Sequence, residues 1–382
     1  MISTPPSSPV HFAREIAPAI RARSIEIEQA RRLPADLCAT MAEGGLFRIS
    51  LPKSLGGFEV DAATMLETIE EVGKADGSAA WCVMIASTSA LVAAYLDEHA
   101  ASAVFGDDPL IVTGGVFAPR GVATPVDGGY RVSGRWPFAS GCQNCCWLMG
   151  GAQITVEGKA PEARLMLFPA SKTTIHDTWY VSGLCGTGSH DIEVNDLLVP
   201  LAFSAAPGTE PSRLKSPLYA FPFFGLLALG IAAVTLGIAR AAADQLAQLA
   251  ADKVPFGSKR PLAARPAIQA QLAEIESHIR AARAFFYDVV GAASNAAAAS
   301  GEVPLRTRAE LRLAACHATQ SAARAIDLAY GAAGGSSIYT VSPLQRYFRD
   351  VHVATQHAMV SPALQELAGR VLSGTATDTS ML

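Results

Sequence analysis

The segment from Leu218 to Ala239, LYAFPFFGLLALGIAAVTLGIA, carries no charged residue and limits the possible folds more than any other stretch. It meets the criterion of roughly 18 to 20 apolar residues for a membrane span, and it is the second of two charge-free runs in chain order, the first being Gly77 to Leu96. Three features favour burial in protein over burial in lipid. Ser87, Thr88 and Ser89 lie at the centre of the first run, the second is rich in Ala and Gly rather than Leu and Ile, and Pro222 falls in its first turn. Arg213 and Lys215 precede the second run and Arg240 follows it, so no charge asymmetry orients it across a bilayer. A helix apolar all round is a buried one, which calls for a large core or for contacts between subunits. Composition agrees: 50% of the 382 residues are hydrophobic and 17% charged, against roughly 25% charged in soluble domains, and the mean hydropathy is +0.26.

The formal net charge of −4 gives no electrostatic footprint for nucleic acid or an anionic membrane, so neither is an expected partner. The opening MISTPPSSPVHFAREIAP lacks the basic and apolar regions of a secretory signal. Seven cysteines, an odd number without framework spacing, suit a reducing compartment, and the expected location is cytoplasmic.

Along the chain the texture changes twice. From Val10 to about Asp108 apolar residues recur at three- and four-residue spacing, as in RARSIEIEQARRLPADLCATMAEGGLF, which predicts helices. From about Leu110 to Phe203 short β-rich runs (LIVTGGVF, YRVSGRWPFAS, WLMGGAQITV, ARLMLFPA, HDIEVNDLLVP) alternate with turn signals at Asp127-Gly128-Gly129, Gly158, Pro161, Gly183 and Gly186. That pattern predicts an antiparallel sheet or barrel. After the Pro- and Ser-rich segment Ala206 to Pro217, four long helical stretches follow: Leu218 to Lys253, Pro266 to about Ser300, Leu305 to about Gly331 and Pro343 to about Gly374. Their short Gly- or Pro-containing breaks suggest a four-helix bundle.

Motifs able to carry chemistry are few. No GxGxxG stands between a strand and a helix, so the chain shows no nicotinamide-dinucleotide site of its own. Gly183 to Ser189 and Gly334-Gly335 lack that context and read as loops. Cys142-Gln143-Asn144-Cys145 has no second CxxC to complete a zinc site, and no metal is expected. Among the eight histidines, His352 and His357 share the last predicted helix but project about 140° apart, so they do not face one metal. Asp350, seven residues before His357 on the same helical face, is its candidate partner. Trp136, Phe138 and Ser140 alternate in GRWPFASG and would point one way along a strand, lining either a plain core or a flat cofactor.

With these residues in view, the chain resembles the acyl-CoA dehydrogenase superfamily over nearly its whole length. The resemblance rests on five segments in order: Pro52 to Gly57 followed by Glu70-Glu71-Val72-Gly73; GYRVSGRWPFASG; GLCGTGSHDIEVNDLLVP; VPFGSKRPLAARPAIQAQLAEIESHIRAAR; and GAAGGSSIYTVSPLQRYFRD. It implies an α+β, acyl-CoA dehydrogenase-like fold. An N-terminal helical domain (residues 1–108) would precede a central antiparallel β-barrel (109–210) and a C-terminal four-helix bundle (211–382) that packs into a homotetramer. Two departures matter. Where many dehydrogenases carry a glutamate base eight residues after the Arg-Asp of the final helix, Arg349-Asp350 puts Ala358. In place of their flavin-facing Thr-Glu-Pro-Gly-Ala-Gly-Ser-Asp stands Gly114 to Gly121. Trp136 to Gly141, Gly186 to Asp191 and His357 are instead similar to the group D, two-component flavin-dependent monooxygenase branch.

That branch implies the following expectations. The protein is an oxygenase component that takes reduced flavin, FADH2 or FMNH2, from a separate NAD(P)H:flavin reductase. With O2 it inserts one oxygen atom into a small aromatic substrate of phenol or indole type through a flavin C4a-hydroperoxide. The chemistry belongs to the cofactor, while the protein orients, desolvates and supplies acid–base groups. Ser140 would bond the flavin edge, and His357, assisted by Asp350, would accept a substrate proton or donate one to the peroxide. Trp136 and Phe138 would flank the ring system, and Trp81 and Phe117 would wall a dry pocket. Lys253, Phe256, Gly334 and Gly335 would hold the cofactor's phosphate end across subunits. Lys253 stands where dehydrogenases often have arginine, which leaves FMN and FAD both open. No clamp for an anionic substrate group is evident in the sequence. Two rival functions follow from the same fold: an acyl-CoA dehydrogenase using FAD and a relocated base, and a non-catalytic flavin-binding protein.

Overall fold

The computed structural model describes residues 8–106, 108–154 and 162–382; Gly158 and Pro161 lie outside the described residues. Six helices come first: α1 (Pro9–Ala22), α2 (Ser24–Ala30), α3 (Ala35–Glu43), α4 (Ala62–Gly73), α5 (Gly77–Ala90) and α6 (Glu98–Phe105). Aspartates start three of them. The carboxylates of Asp61, Asp76 and Asp97 accept from the backbone N–H three residues on, satisfying donors that a helix start leaves free.

Seven strands follow: β1 (Thr113–Val126), β2 (Gly129–Ala139), β3 (Trp147–Ile154), β4 (Glu162–Pro169), β5 (Thr174–His176), β6 (His190–Pro200) and β7 (Ser204–Ala205). Their order is β5-β6-β2-β1-β3-β4-β7. The expected antiparallel barrel needs correction here. β1 and β3 pair in parallel, so the sheet is mixed, and no closing pair joins β5 to β7 among the described residues. The reason is local. β1 turns back into β2 at Asp127-Gly128, and the chain then passes under the sheet through Gly141 to Cys146. It enters β3 on the far side of β1, running in β1's direction.

The carboxy-terminal helices are α7 (Phe223–Asp252), α8 (Pro266–Ser300), α9 (Leu305–Ala333), α10 (Pro343–Thr355) and α11 (Pro362–Leu372). The stretch expected as one helix from Pro343 to Gly374 is therefore two. Pro362 lacks the N–H that would continue the ladder and disfavours helical geometry at Ser361. α10 has by then already ended at Thr355 with Gln356 as its cap, and His357 takes an extended conformation before a single 3-10 turn at Ala358–Val360.

Both charge-free runs are core helices. Gly77 to Ala94 is buried throughout, and 94% of the most apolar window of Phe223–Asp252 is buried. The second packs against α4, α5, α9 and α10, which leaves no face for charge. Its crossing with α4 is close enough to need glycine on both sides. A Cβ on Gly237 would lie 2.4 Å from the Glu70 carbonyl oxygen, and one on Gly73 would lie 3.0 Å from that of Val234. One hydrophobic core runs continuously from the first helices into the bundle, while a second fills the sheet around Trp136, Leu148, Met166 and Phe168.

Candidate functional site

The helices and the sheet meet around a cavity of about 690 Å³, within the range for small-molecule sites. α5 contributes Trp81 and Ile85, β1 contributes Gly115 to Arg120, and β2 ends into it with Pro137, Phe138 and Ser140. The loop before β6 brings Trp179, Leu184, Thr187 and Ser189. The start of α7 brings Phe224 and Leu227, the segment after α10 brings Gln356 to Met359, and Met381 closes one side. Phe117 packs edge-to-face on Phe223, with centroids 5.0 Å apart. Most of the wall is apolar, so polar groups inside act in a low dielectric.

One wall carries a row of hydrogen-bonded groups. The Trp81 indole N–H donates to Ser140 Oγ at 3.1 Å; Ser140 Oγ lies 2.7 Å from Ser189 Oγ, which lies 2.7 Å from Thr187 Oγ1. Thr187 Oγ1 donates to the Leu184 carbonyl at 2.8 Å. The loop bearing this row is held from two sides. His190 is buried at the head of β6, and its Nδ1 accepts from the backbone N–H groups of Thr178 and Trp179, both at 3.2 Å. Asp350, buried in α10, accepts from the Leu184 N–H at 2.6 Å.

His357 lines the same cavity. Its Nδ1 accepts from the Met359 backbone N–H at 3.1 Å, so in the neutral ring the hydrogen belongs to Nε2, which has no protein partner among the described residues. Burial, with the Arg312 guanidinium adding to it, pushes the imidazole down to about 4. The ring is therefore neutral at physiological pH and offers one donor. Trp81 lies beside it, with ring centroids 5.7 Å apart.

The sequence-predicted residues separate accordingly. His357, Ser140, Phe138, Trp81 and Phe117 all line the cavity. Trp136 does not. It is wholly buried in the sheet, donating from its indole to the Gly151 carbonyl at 2.7 Å, in a slot where a Cβ on Gly121, Gly134 or Gly150 would come within 2.7 Å of the ring. The alternation that put Trp136, Phe138 and Ser140 on one face fails because β2 is irregular between Trp136 and Ala139. Pro137 has no N–H to give the ladder, and Phe138 sits at φ +69°, which turns its ring out of the sheet, 65% exposed and edge-on to Trp179. Asp350 is corrected as well. His357 falls beyond the end of α10, so the shared helical face does not exist, and Asp350 instead fixes the loop at Leu184. Burial, helped by nearby Asp76, pushes its carboxyl up to about 7.

Lys253, Phe256, Gly334 and Gly335 form a second group. Lys253 Nζ donates to the Ala333 carbonyl at 2.9 Å, joining the end of α7 to the Gly334 turn, and Phe256 is fully exposed. None of the four lines the cavity. Cys142 and Cys145 lie beneath it as unpaired thiols, that of Cys142 pushed up to about 11 by burial. Sequence reasoning did not assign roles to Thr187 and Ser189, although they sit in the quoted Gly-Thr-Gly-Ser segment. Arg120, Trp179, Arg312 and Met381 carry no local signal at all, because each reaches the site through long-range packing.

Comparison with known proteins adds three findings. Residues 11–104 match the acyl-CoA dehydrogenase N-terminal domain and residues 229–362 the acyl-CoA dehydrogenase C-terminal domain. The chain is 34% identical to an indole-3-acetate monooxygenase of Pseudomonas putida, over 93% of this chain and 90% of that protein. It is 30% identical to the flavin-dependent monooxygenase oxygenase subunit HsaA of Rhodococcus jostii, over 91% and 93% respectively. Among solved structures, XiaF from a Streptomyces species, in complex with FADH2 and glycerol, superposes with a TM-score of 0.90 at 28% identity, covering 96% of this chain and 95% of that one.

Proposed function

This chain belongs to the acyl-CoA dehydrogenase superfamily, in its branch of two-component flavin-dependent monooxygenase oxygenase components, and on that premise we propose that it oxygenates a small aromatic substrate bearing an anionic group. The enzyme uses reduced flavin and O2 and depends on a separate flavin reductase. The observation that carries the substrate proposal is the polarity of the cavity. Its walls are apolar and aromatic, with the hydroxyl row and the single Nε2–H donor of His357 set among them.

The residues present suit the flavin. Ser140 and its neighbours offer hydrogen-bonding atoms to the edge of a ring system, and Phe138 and Trp179 offer ring surface. Bound there, reduced flavin supplies the activation of O2 and the oxygen atom transferred. The protein does the rest. His357 Nε2–H holds an oxygen of the reacting pair, Trp81 and Phe117 exclude water, and the loop pinned by Asp350 keeps the hydroxyl row in place.

Arg120 points to the substrate's charge. It is the one Asp, Glu, Lys or Arg side chain among the described residues that line the cavity, and it has no ion pair there. Like the indole-3-acetate of the Pseudomonas putida relative's name, a carboxylate-bearing aromatic brings a complementary charge. The same lining counts against the dehydrogenase alternative: Ala358 occupies the expected place of the base, and among the described residues no carboxylate lines the cavity.

The second group of residues implies assembly. Along α7, Lys253 stands roughly 40 Å from Phe224 at 1.5 Å per residue, farther than one flavin spans. In the proposed homotetramer, Lys253, Phe256, Gly334 and Gly335 of one chain therefore grip the phosphate end of a cofactor seated in a neighbour's cavity. Light scattering should give four times the chain mass, and a monomer would overturn this arrangement. A cytoplasmic location goes with this reading, and cell fractionation checks it.

The function is tested by supplying photoreduced FMN or FAD, O2 and a panel of indoles and phenols with and without a carboxylate, and following 18O from O2 into product. One labelled atom per turnover is expected, with lower KM for the acids. Arg120→Gln should raise that KM about tenfold or more while leaving reduced-flavin affinity unchanged. Bleaching of bound FAD by an acyl-CoA, with no labelled product, would favour the dehydrogenase instead.

A further inference from the structure

The hydroxyl row has a fixed direction. A carbonyl oxygen only accepts, so at 2.8 Å the Thr187 hydrogen points to Leu184 O, which also accepts from the Thr187 backbone N–H and the Trp179 indole N–H at longer range. With its one hydrogen spent, Thr187 Oγ1 accepts from Ser189, and Ser189, its own hydrogen now spent, accepts from Ser140. Ser140 in turn accepts from the Trp81 N–H, which has no other role than donor. Every hydroxyl hydrogen in the row is thus consumed along it, and what Ser140, Ser189 and Thr187 present to the cavity are lone pairs only. Each side chain is buried, with at most 7% of the residue exposed, so water does not readily scramble the order.

Resting on the functional reading above, we propose that Ser189 and Thr187 are positioning residues that lock Ser140 as an acceptor, and that this acceptor-only wall selects reduced over oxidised flavin. The chemistry follows from the two ligand states. A reduced isoalloxazine carries a ring N–H that the oxidised form lacks, and where the one donates, the other presents a lone pair. A wall of lone pairs satisfies the first and leaves the second facing an acceptor, at the cost of an unmade bond in a poorly solvated place. Discrimination here lies in hydrogen-bond polarity rather than in shape, since the two states have nearly the same outline.

The test is anaerobic titration of the whole protein with FMN and with FAD, each in both redox states, followed by flavin fluorescence or calorimetry. The wild-type protein is expected to bind the reduced state at least about tenfold more tightly. Ser189→Ala removes the acceptor of the Ser140 hydrogen and frees that hydroxyl to turn into the cavity, so the preference should fall severalfold, chiefly through tighter binding of the oxidised state. Ser189→Thr keeps the relay and should keep the preference. Thr187→Val breaks the row one step further away, and should act in the same direction as Ser189→Ala if that variant fails to fold. An unchanged ratio in both breaking variants overturns the proposal while leaving the monooxygenase assignment intact. Failure of the wild-type protein to bind either state overturns the functional reading itself.

Discussion

Replacing His357 by alanine should lower the rate of substrate oxygenation by roughly 10²- to 10⁴-fold, the range for loss of a positioned proton-handling group, with a much smaller change in reduced-flavin affinity. The expectation rests on what the ring is able to do. Nδ1 is occupied by the Met359 N–H, and burial with the Arg312 charge holds the imidazole down to about 4, so at neutral pH it is a fixed Nε2–H donor. To act as a base at Nε2 it would have to change tautomer and give up the Met359 bond. His357→Asn, which retains an N–H donor, should therefore lose less than His357→Ala. Compared with His357→Asn, the wild-type pH profile should show an acid limb near 4 that depends on His357 and no His357-dependent break at the ordinary histidine value of about 6.5, a limb near 7 belonging to Asp350. A break near 6.5 that His357→Asn removes, or an alanine variant as fast as wild type, would remove His357 from this role.

The same residue predicts a stability window. Unfolded, the ring takes a proton near pH 6.5, while folded it resists until about 4, so between these values the unfolded chain binds more protons. The His357 contribution to stability should fall as pH drops through that window, while Asp350, whose folded carboxyl is pushed up to about 7, gains over the same range and opposes it. The His357 loss should reach up to about 3 kcal/mol at the acid end, and be largely absent in His357→Asn. The difference in denaturant midpoint between wild type and His357→Asn, measured from pH 7 to 4, isolates it and checks both the size and the sign.

What the residues alone revealed, and what they hid, divides along physical lines. The charge-free helix from Phe223 was legible because a stretch without a polar face has to be buried somewhere. The order of helices, strands and helices was legible because periodicity is local. Of the candidate site residues, His357, Ser140, Phe138, Trp81 and Phe117 come together at the cavity, and they were legible through the family resemblance rather than through local spacing. Trp136 was misplaced because one proline-induced irregularity reverses strand alternation, a change that period-two counting does not register. Asp350 was misassigned because helical spacing was carried across the end of α10 at Thr355, which no proline or glycine in residues 351–356 marks. The direction of the hydroxyl row needs four contacts from three segments, and Arg120 needs to be seen against an otherwise uncharged lining.

Arg312→Met should destabilise the protein by about 3 to 5 kcal/mol and loosen the cavity at the same time. The Arg312 guanidinium, almost wholly inaccessible in α9, has no carboxylate partner among the described residues. Burial brings it down to about 10, which still leaves it charged at neutral pH. It donates instead to three main-chain carbonyls from separate segments: Met359 at 2.8 Å, Phe224 at 3.3 Å, and Met381. Those are the turn after His357, the start of α7 and the final residues, and each of the three residues lines the cavity. A methionine of similar length fills the space but leaves three buried acceptors without donors, each worth about 1 to 3 kcal/mol, partly recovered where the wall relaxes toward water. Two readouts separate this anchoring from a general loss of packing. Hydrogen exchange should rise first at residues 373–382 and at Met359. The acid limb assigned to His357 should also move up from about 4, because the cation that opposes its protonation is gone. Arg312→Lys keeps the charge on a point-like head that reaches fewer carbonyls, so it should hold the acid limb near its wild-type place while recovering only part of the stability. If Arg312→Met shifts neither the limb nor the exchange of the tail, the three carbonyls are held by something other than this arginine.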